Sequence, residues 1–426
     1  MNWREFRQVG HWPTLLSAFL YFDVSFMAWV VLGPLALYLS QELGLSIEEK
    51  FGIVAIPILA GAAFRIPMGM LADHIGPKRA GQLGQLVVIA GLVYAWLYGL
   101  HSKLEVEMLG LILGVAGASF AVALPQVSRW YPPQFQGMVM GIAGAGNMGV
   151  VLDSMLVPWL AETYGWQSVF GFLLLPLIVV LALYSVFAKD APGQRAPVTL
   201  ANYRTVLQDV DTWWFMFFYS ITFGGFVGLG SALPLYFTHW YHASGVAAGM
   251  MVALVVFAGS MCRPVGGWLA DRFGGLKTLQ ALFVVVALCY VSIAYLPQGP
   301  APAVGVVSAA KVSGWELSQL PLVAWGAVLV FFIGAMALGM GNGSVFQLVP
   351  LRFRHEIGVM TGLVGAAGGV GGFFLAKTLG WSKGMTGGFA AGFWLFAALA
   401  AVGLLGLLMV KTRWRTTWGA ASGARV

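Results

Sequence analysis

Charge is what this sequence lacks most. Only 9% of its 426 residues are Asp, Glu, Lys or Arg, against about 25% in a soluble domain. With 59% hydrophobic residues, there is too little polar side chain to cover a water-facing surface. Cysteine is nearly absent too. Cys262 and Cys289 fall inside apolar runs and form neither a disulfide framework nor a metal-ligand spacing, so both are expected to pack as small hydrophobes. No pair of histidines at metal spacing falls within a span, because His239 and His242 sit beside a loop. No cofactor motif occurs either. A membrane-embedded enzyme would need a convergent catalytic set, and none is present, so neither enzymatic chemistry nor a metal or cofactor is expected.

What is present is uncharged length. Ala80 to Leu100 and Trp166 to Ala188 are each about 20 residues, enough to cross a hydrocarbon core as a helix. The 57 glycines fit the same setting, since small residues let helices approach closely in lipid. Breaks at charged or Pro/Gly-rich stretches predict twelve spans: 13–40, 50–73, 80–100, 106–129, 136–161, 166–188, 211–238, 245–271, 277–297, 322–350, 357–380 and 387–411. The stretch before the first span is short and basic, with no small-residue cleavage site after it. That span is therefore expected to be a retained helix and not a signal peptide.

The basic residues then sort by side. Sixteen of the 23 Lys and Arg fall on one side: Arg4, Arg7, Lys78, Arg79, Arg129, Lys189, Arg195, Arg204, Arg272, Lys277, Arg352, Arg354, Lys411, Arg413, Arg415 and Arg425. Five fall on the other: Lys50, Lys103, Lys311, Lys377 and Lys383. The positive-inside rule makes the first side cytoplasmic, with both termini inside. The net charge of +7 thus reflects topology and not a nucleic-acid partner. Two arginines, Arg65 and Arg263, belong to neither side. The longest cytoplasmic connection divides the chain into an N-terminal six-helix bundle (1–188), a linker (189–210) and a C-terminal bundle (211–426).

The two halves repeat. Ala60-Gly61-Ala62-Ala63-Phe64-Arg65 aligns with Ala258-Gly259-Ser260-Met261-Cys262-Arg263. Gly69, Leu71, Ala72, Asp73 and Gly76 then match Gly267, Leu269, Ala270, Asp271 and Gly274 without a gap. Gly141-Ile142-Ala143-Gly144-Ala145 likewise matches Gly362-Leu363-Val364-Gly365-Ala366. Duplicated halves are the mark of transporters that rock around a central site.

The loop Gly69-x-x-x-Asp73-x-x-Gly76-x-Lys78-Arg79, with its partial copy Gly267-x-x-x-Asp271-Arg272-x-Gly274, resembles the signature of the major facilitator superfamily. The glycine-rich stretches Gly141 to Gly149 and Gly362 to Gly372 resemble the two signature segments of its nitrate/nitrite porter (NarK-type) family. Arg65 before Ile66-Pro67 and Arg263 before Pro264 fit that family as well. The resemblance covers essentially all twelve helices. It implies an all-α integral membrane protein of two pseudo-symmetric six-helix bundles, monomeric in the bilayer of the bacterial inner membrane, with nitrate or nitrite as the carried anion.

Arginine inside a bilayer is expensive, by at least about 2.5 kcal/mol, and marks a functional site. Its planar fork suits a planar oxyanion. Arg65 and Arg263 each lie eight residues from the aspartate at the cytoplasmic helix end, hence roughly 12 Å deep. Asn147, Tyr219, Phe223 and Phe120 fall at similar depth. By resemblance the arginines clamp the anion, Asn147 and Tyr219 complete its hydrogen bonds, and Phe120 and Phe223 wall it. The alternative is internal ion pairing of the arginines with Asp23 and Asp153, the acids well inside spans. Helix–helix hydrogen bonding for Asn147 and ordinary packing for the rings are the bland readings.

Gly365, Gly368, Gly369 and Gly372 make one smooth helical stripe, and Gly141 and Gly144 contribute to a less regular one. Both suit either sliding of one half on the other or static tight packing. Asp73 and Asp271 are expected to serve as cytoplasmic latches or as solvated caps. Moving an anion into a negative cytoplasm costs about 2.3 kcal/mol per 100 mV. Uptake therefore needs either symport with more than one proton or exchange for an internal anion such as nitrite. Proton-coupled nitrate uptake is the expected mode, with Asp23, about 15 Å deep, as the candidate proton carrier or else a permanent counter-ion. Nitrate/nitrite antiport is the near alternative, and transport of another small monovalent anion such as formate stands behind both.

Overall fold

The computed structural model describes residues 9–132, 136–192, 199–299, 320–353 and 356–422. Of the basic residues sorted above, Arg4, Arg7, Arg195, Lys311, Arg354 and Arg425 lie outside the described residues. The described residues are mostly helical, with no strand among them, and three spans are interrupted, at 31, at 118–119 and at 145–148. In chain order the long helices are α1 (Trp12–Glu42), α2 (Ile47–Ile75), α3 (Pro77–Tyr98) and α4 (Lys103–Ser128). Next come α5 (Gln136–Gly144 and Gly149–Tyr164), α6 (Trp166–Phe187), α7 (Val210–Tyr241) and α8 (Gly245–Phe273). The last four are α9 (Gly275–Tyr295), α10 (Leu322–Arg352), α11 (Ile357–Thr386) and α12 (Ala390–Thr416). A short linker helix, Leu200–Leu207, precedes α7.

Eleven of these twelve are long and apolar enough to cross a membrane on length and composition. The twelfth, α5, is predicted from sequence as one span but is in two pieces. Its residues 145–148 form turns closed by three-residue bonds, among them Ala145 N–H to Ile142 O (3.1 Å) and Met148 N–H to Ala145 O (3.2 Å). Gly141, Gly144, Gly146, Asn147 and Gly149 crowd this stretch, and glycine and asparagine are weak helix formers. The matching helix α11 is at least as glycine-rich and stays unbroken. Packing overrides propensity there: Gly371 is seated on the Ser220 backbone of α7, and a methyl on Gly369 would lie 2.7 Å from Ala62 Cβ of α2.

The helix ends are set locally. Ser46 and Glu49 form a reciprocal cap at the start of α2, and the Ser244 hydroxyl caps α8. The turns after α2 and α8 run through Gly76 (φ 91°) and Gly274 (φ 96°). These equivalent positions of the repeat need a backbone conformation that only glycine adopts without strain.

Leu97 on α3, Leu175 on α6, Leu288 on α9, and Leu405 and Met409 on α12 face outward, as side chains against lipid should. The two bundles meet where α2 packs along α11 and α5 against α8. The α2–α11 seam is tight from its middle to one end: Gly372 lies against Ile58, Gly380 against Phe51 and Gly384 against Glu48. Toward the Arg/Lys-rich end the helices part. There the Tyr203 hydroxyl of the linker helix stands between Gly69 and Gly362, 3.9 Å and 3.5 Å from methyls placed on them.

Candidate functional site

Arg65 and Arg263 are both buried, at 1% and 8% exposure. Neither forms an ion pair among the described residues. The guanidinium of Arg65 donates through Nη1 to the carbonyl of Gly365 and through Nε to that of Gly117 (3.3 Å). Arg263 donates through Nη1 to the carbonyl of Gly144 (3.4 Å) and through Nη2 to the Tyr219 hydroxyl (3.3 Å). Gly144 and Gly365 are partners in the repeat. Each half's arginine therefore reaches across the interface to the equivalent glycine of the other half.

Two of these carbonyls are free because their helices are irregular. Ala121 bonds Ala118 instead of Gly117, and Met148 bonds Ala145 instead of Gly144. Breaks in α4 and α5 thus supply acceptors to the arginines. Arg65 Nη2 is buried with no hydrogen-bond partner. A desolvated charged donor left open in this way is costly unless something binds it.

Aromatic rings enclose both guanidiniums. Phe120 lies between them, 5.3 Å from Arg65 and 5.8 Å from Arg263. Phe223 covers Arg65 at 5.2 Å and stacks on Tyr219, with centroids 5.1 Å apart. Asn147 sits in the broken stretch of α5, buried, with its side-chain oxygen unpartnered. Arg65, Arg263, Phe120, Tyr219 and Phe223 are brought together by direct contact. Asn147 joins them only through its place in the α5 break, beside Gly144.

The structure adds residues that the sequence did not single out. Trp29 lies 5.4 Å from Arg65 and anchors its indole N–H on the Pro57 carbonyl at 2.6 Å. Phe346 lies 5.9 Å from Arg263 and meets both Tyr219 and Phe120. In a chain that is 14% aromatic no spacing sets these two rings apart. The Gly117 carbonyl gave no signal at all, because its role comes from the bond its helix fails to make.

The other sequence candidates fall as follows. Asp23 accepts from the Gly149 backbone N–H at 2.7 Å, and neither it nor Asp153 pairs with an arginine among the described residues. Gly365 faces Arg65, Gly368 faces Tyr219 and Phe223, Gly369 and Gly372 face α2, and Gly144 faces Arg263. Gly141 lies on the first piece of α5. Asp73 pairs with Arg129, joining the ends of α2 and α4. Asp271 is exposed and has no ion pair among the described residues. In the second half the ion pairs at that end are instead Arg352 with Asp209 and Asp211 (3.0 Å to the latter) and Arg413 with Asp211.

A bundle of twelve membrane helices in two pseudo-equivalent sets has the architecture of a secondary transporter, and the two cations buried where the sets meet have no ion-pair partner among the described residues. The sequence matches the Major Facilitator Superfamily over residues 17–376. It is 29% identical over 386 residues to the nitrite extrusion protein of Bacillus subtilis, covering 90% of each chain. It is 31% identical to a probable nitrate/nitrite antiporter, NarK1, of Thermus thermophilus, covering 91% of this chain and 88% of that one. It is 32% identical to the probable nitrate/nitrite transporter NarK2 of Mycobacterium tuberculosis, covering 84% and 85%. The chain belongs to the Major Facilitator Superfamily and, within it, to the NarK-type nitrate/nitrite porter family, as a multi-pass membrane protein.

Proposed function

We propose that this protein carries nitrate, and nitrite as a related substrate, across the bacterial inner membrane by alternating access, in proton-coupled uptake. The observation that carries the reading is the pair of buried guanidiniums with no ion-pair partner among the described residues. Two such charges in a low-dielectric interior call for an anion, and a planar oxyanion matches their fork geometry. In this reading the anion displaces the glycine carbonyls from the two arginines and accepts from the open Nη2 of Arg65. Asn147 and Tyr219 complete its shell, while Phe120, Phe223, Trp29 and Phe346 exclude water.

The sliding surfaces are the glycine stripes of α5 and α11. The Arg/Lys-rich end is cytoplasmic, with both termini there, so the closed part of the α2–α11 seam faces the periplasm. Residues 1–188 and 211–426 rock about the linker as a monomer, and the Asp73–Arg129 pair fastens the cytoplasmic end of the first bundle. Exchange of nitrate for nitrite is the second reading. It is favoured by the antiporter name of the Thermus relative and by the absence of an acid against the arginines. The test is nitrate counterflow in proteoliposomes, with formate and nitrite as competitors. Unchanged counterflow in Arg65→Lys and Arg263→Lys would overturn the clamp, because lysine has no fork.

A further inference from the structure

Resting on that reading, we propose that Asp23 and Asp153 form one proton-carrying carboxyl pair, tied to the anion site through the break in α5. The Gly149 N–H, the first of the second piece of α5, is held by the Asp23 carboxylate at 2.7 Å. Asp153 lies four residues on, so it projects from the same helix face. It is 1% exposed, and its Oδ2 has no hydrogen-bond partner. Asp153 thus lies one helical turn from the Asp23–Gly149 contact.

No lysine or arginine pairs with either carboxyl among the described residues. The titratable groups on the packed helices are engaged elsewhere. Arg65 and Arg263 hold the central site. Tyr184 bonds Gln126 and stacks on Tyr21, Tyr38 bonds Glu162, Trp166 holds Glu42, and Lys103 pairs with Glu49 and Glu107. The remaining charges of these helices lie near their ends. Two carboxylates without a counter-cation are strongly disfavoured in such an interior, and a shared proton removes the conflict.

The same broken stretch serves both sites. Its leading end offers the Gly144 carbonyl to Arg263, and its trailing end offers the Gly149 N–H to Asp23. When the anion takes the fork of Arg263, Gly144 is released, the turn can re-form, and Asp23 loses the N–H that favours its charged form. Anion binding and proton binding then reinforce one another. The pair takes up one of the protons that enter with the anion from the periplasmic side and releases it to the cytoplasm, and only O–H bonds change.

The test uses the full chain in proteoliposomes, with nitrate accumulation driven by a pH gradient and normalised to nitrate counterflow. Asp23→Asn should lower that ratio at least about tenfold. Asp153→Asn removes the neighbouring negative charge and should move the midpoint of pH-driven uptake to more acid values by about half a pH unit or more. Asp153→Glu should restore it. A ratio and a midpoint both within error of wild type in the two Asn variants would overturn the proposal. If Asp23→Asn does not reach the membrane, the Asp153 Asn/Glu comparison decides alone. Absence of nitrate counterflow in the wild type would instead sink the anion reading and the pair with it.

Discussion

The two halves carry the same arginine and the same glycine partner, yet they are not equivalent machines. α11 is one continuous helix without an acidic residue, whereas its counterpart α5 is broken and carries Asp153. The position of Asn147 in the first half is Gly368 in the second, that of Gly149 is Val370, and that of Asp153 is Phe374. α7 likewise has no acid beyond Asp211 at its start, while α1 carries Asp23 deep within it. Duplication has kept the two buried arginines and their glycine partners symmetric. The second half has the smooth helix that packs, and the first has the irregular one that exposes backbone groups. A break that frees a carbonyl and an N–H five residues apart, at Gly144 and Gly149, gives one helix two electrostatic faces, which a regular helix cannot present.

This comparison can be broken at several points. The largest effect is expected at the shared feature: Arg65→Lys or Arg263→Lys should each lower nitrate counterflow about 100-fold or more, since a buried bidentate donor is lost. If one variant is nearly silent, the two halves do not share the anion. Next is the rigid side of α11. A methyl on Gly371 would collide with the Ser220 backbone, which cannot step aside. Gly371→Ala should therefore destabilise by about 2–3 kcal/mol, read as a fall in the thermal midpoint of the detergent-solubilised protein. Gly358→Ala, in the same helix but with nothing within 4 Å, should be neutral or stabilising by up to about 1 kcal/mol.

Smaller effects sharpen the contrast. Asn147→Gly makes the first half resemble the second and removes a buried amide, and it should weaken nitrate competition in a binding assay by about tenfold. Tyr219→Phe removes the hydroxyl that accepts from Arg263 and should cost about 1 kcal/mol in nitrate affinity by calorimetry. Equal losses in both variants would argue that the α5 break adds nothing beyond one hydrogen bond.

Much of this was legible before any coordinates. Scarce charge and long apolar runs determined a membrane protein, because no other solvent tolerates that surface. The repeat put Arg65 and Arg263 at matching positions of the two halves, and Gly76 and Gly274 marked the turns that need them. Periodicity missed the break in α5, since glycine and asparagine weaken a helix without saying whether packing will rescue it. It was not rescued in α5 and was in α11.

Composition and pattern thus determined the class of the protein and its two central charges, because burying a charge in lipid leaves a trace in any sequence. Only the tertiary structure decided what those charges hold. Besides the Tyr219 hydroxyl, their partners are backbone carbonyls of Gly117, Gly144 and Gly365, and every residue has a carbonyl. Which of them is left free depends on whether its own helix stays regular, and packing against helices far apart in the chain decides that.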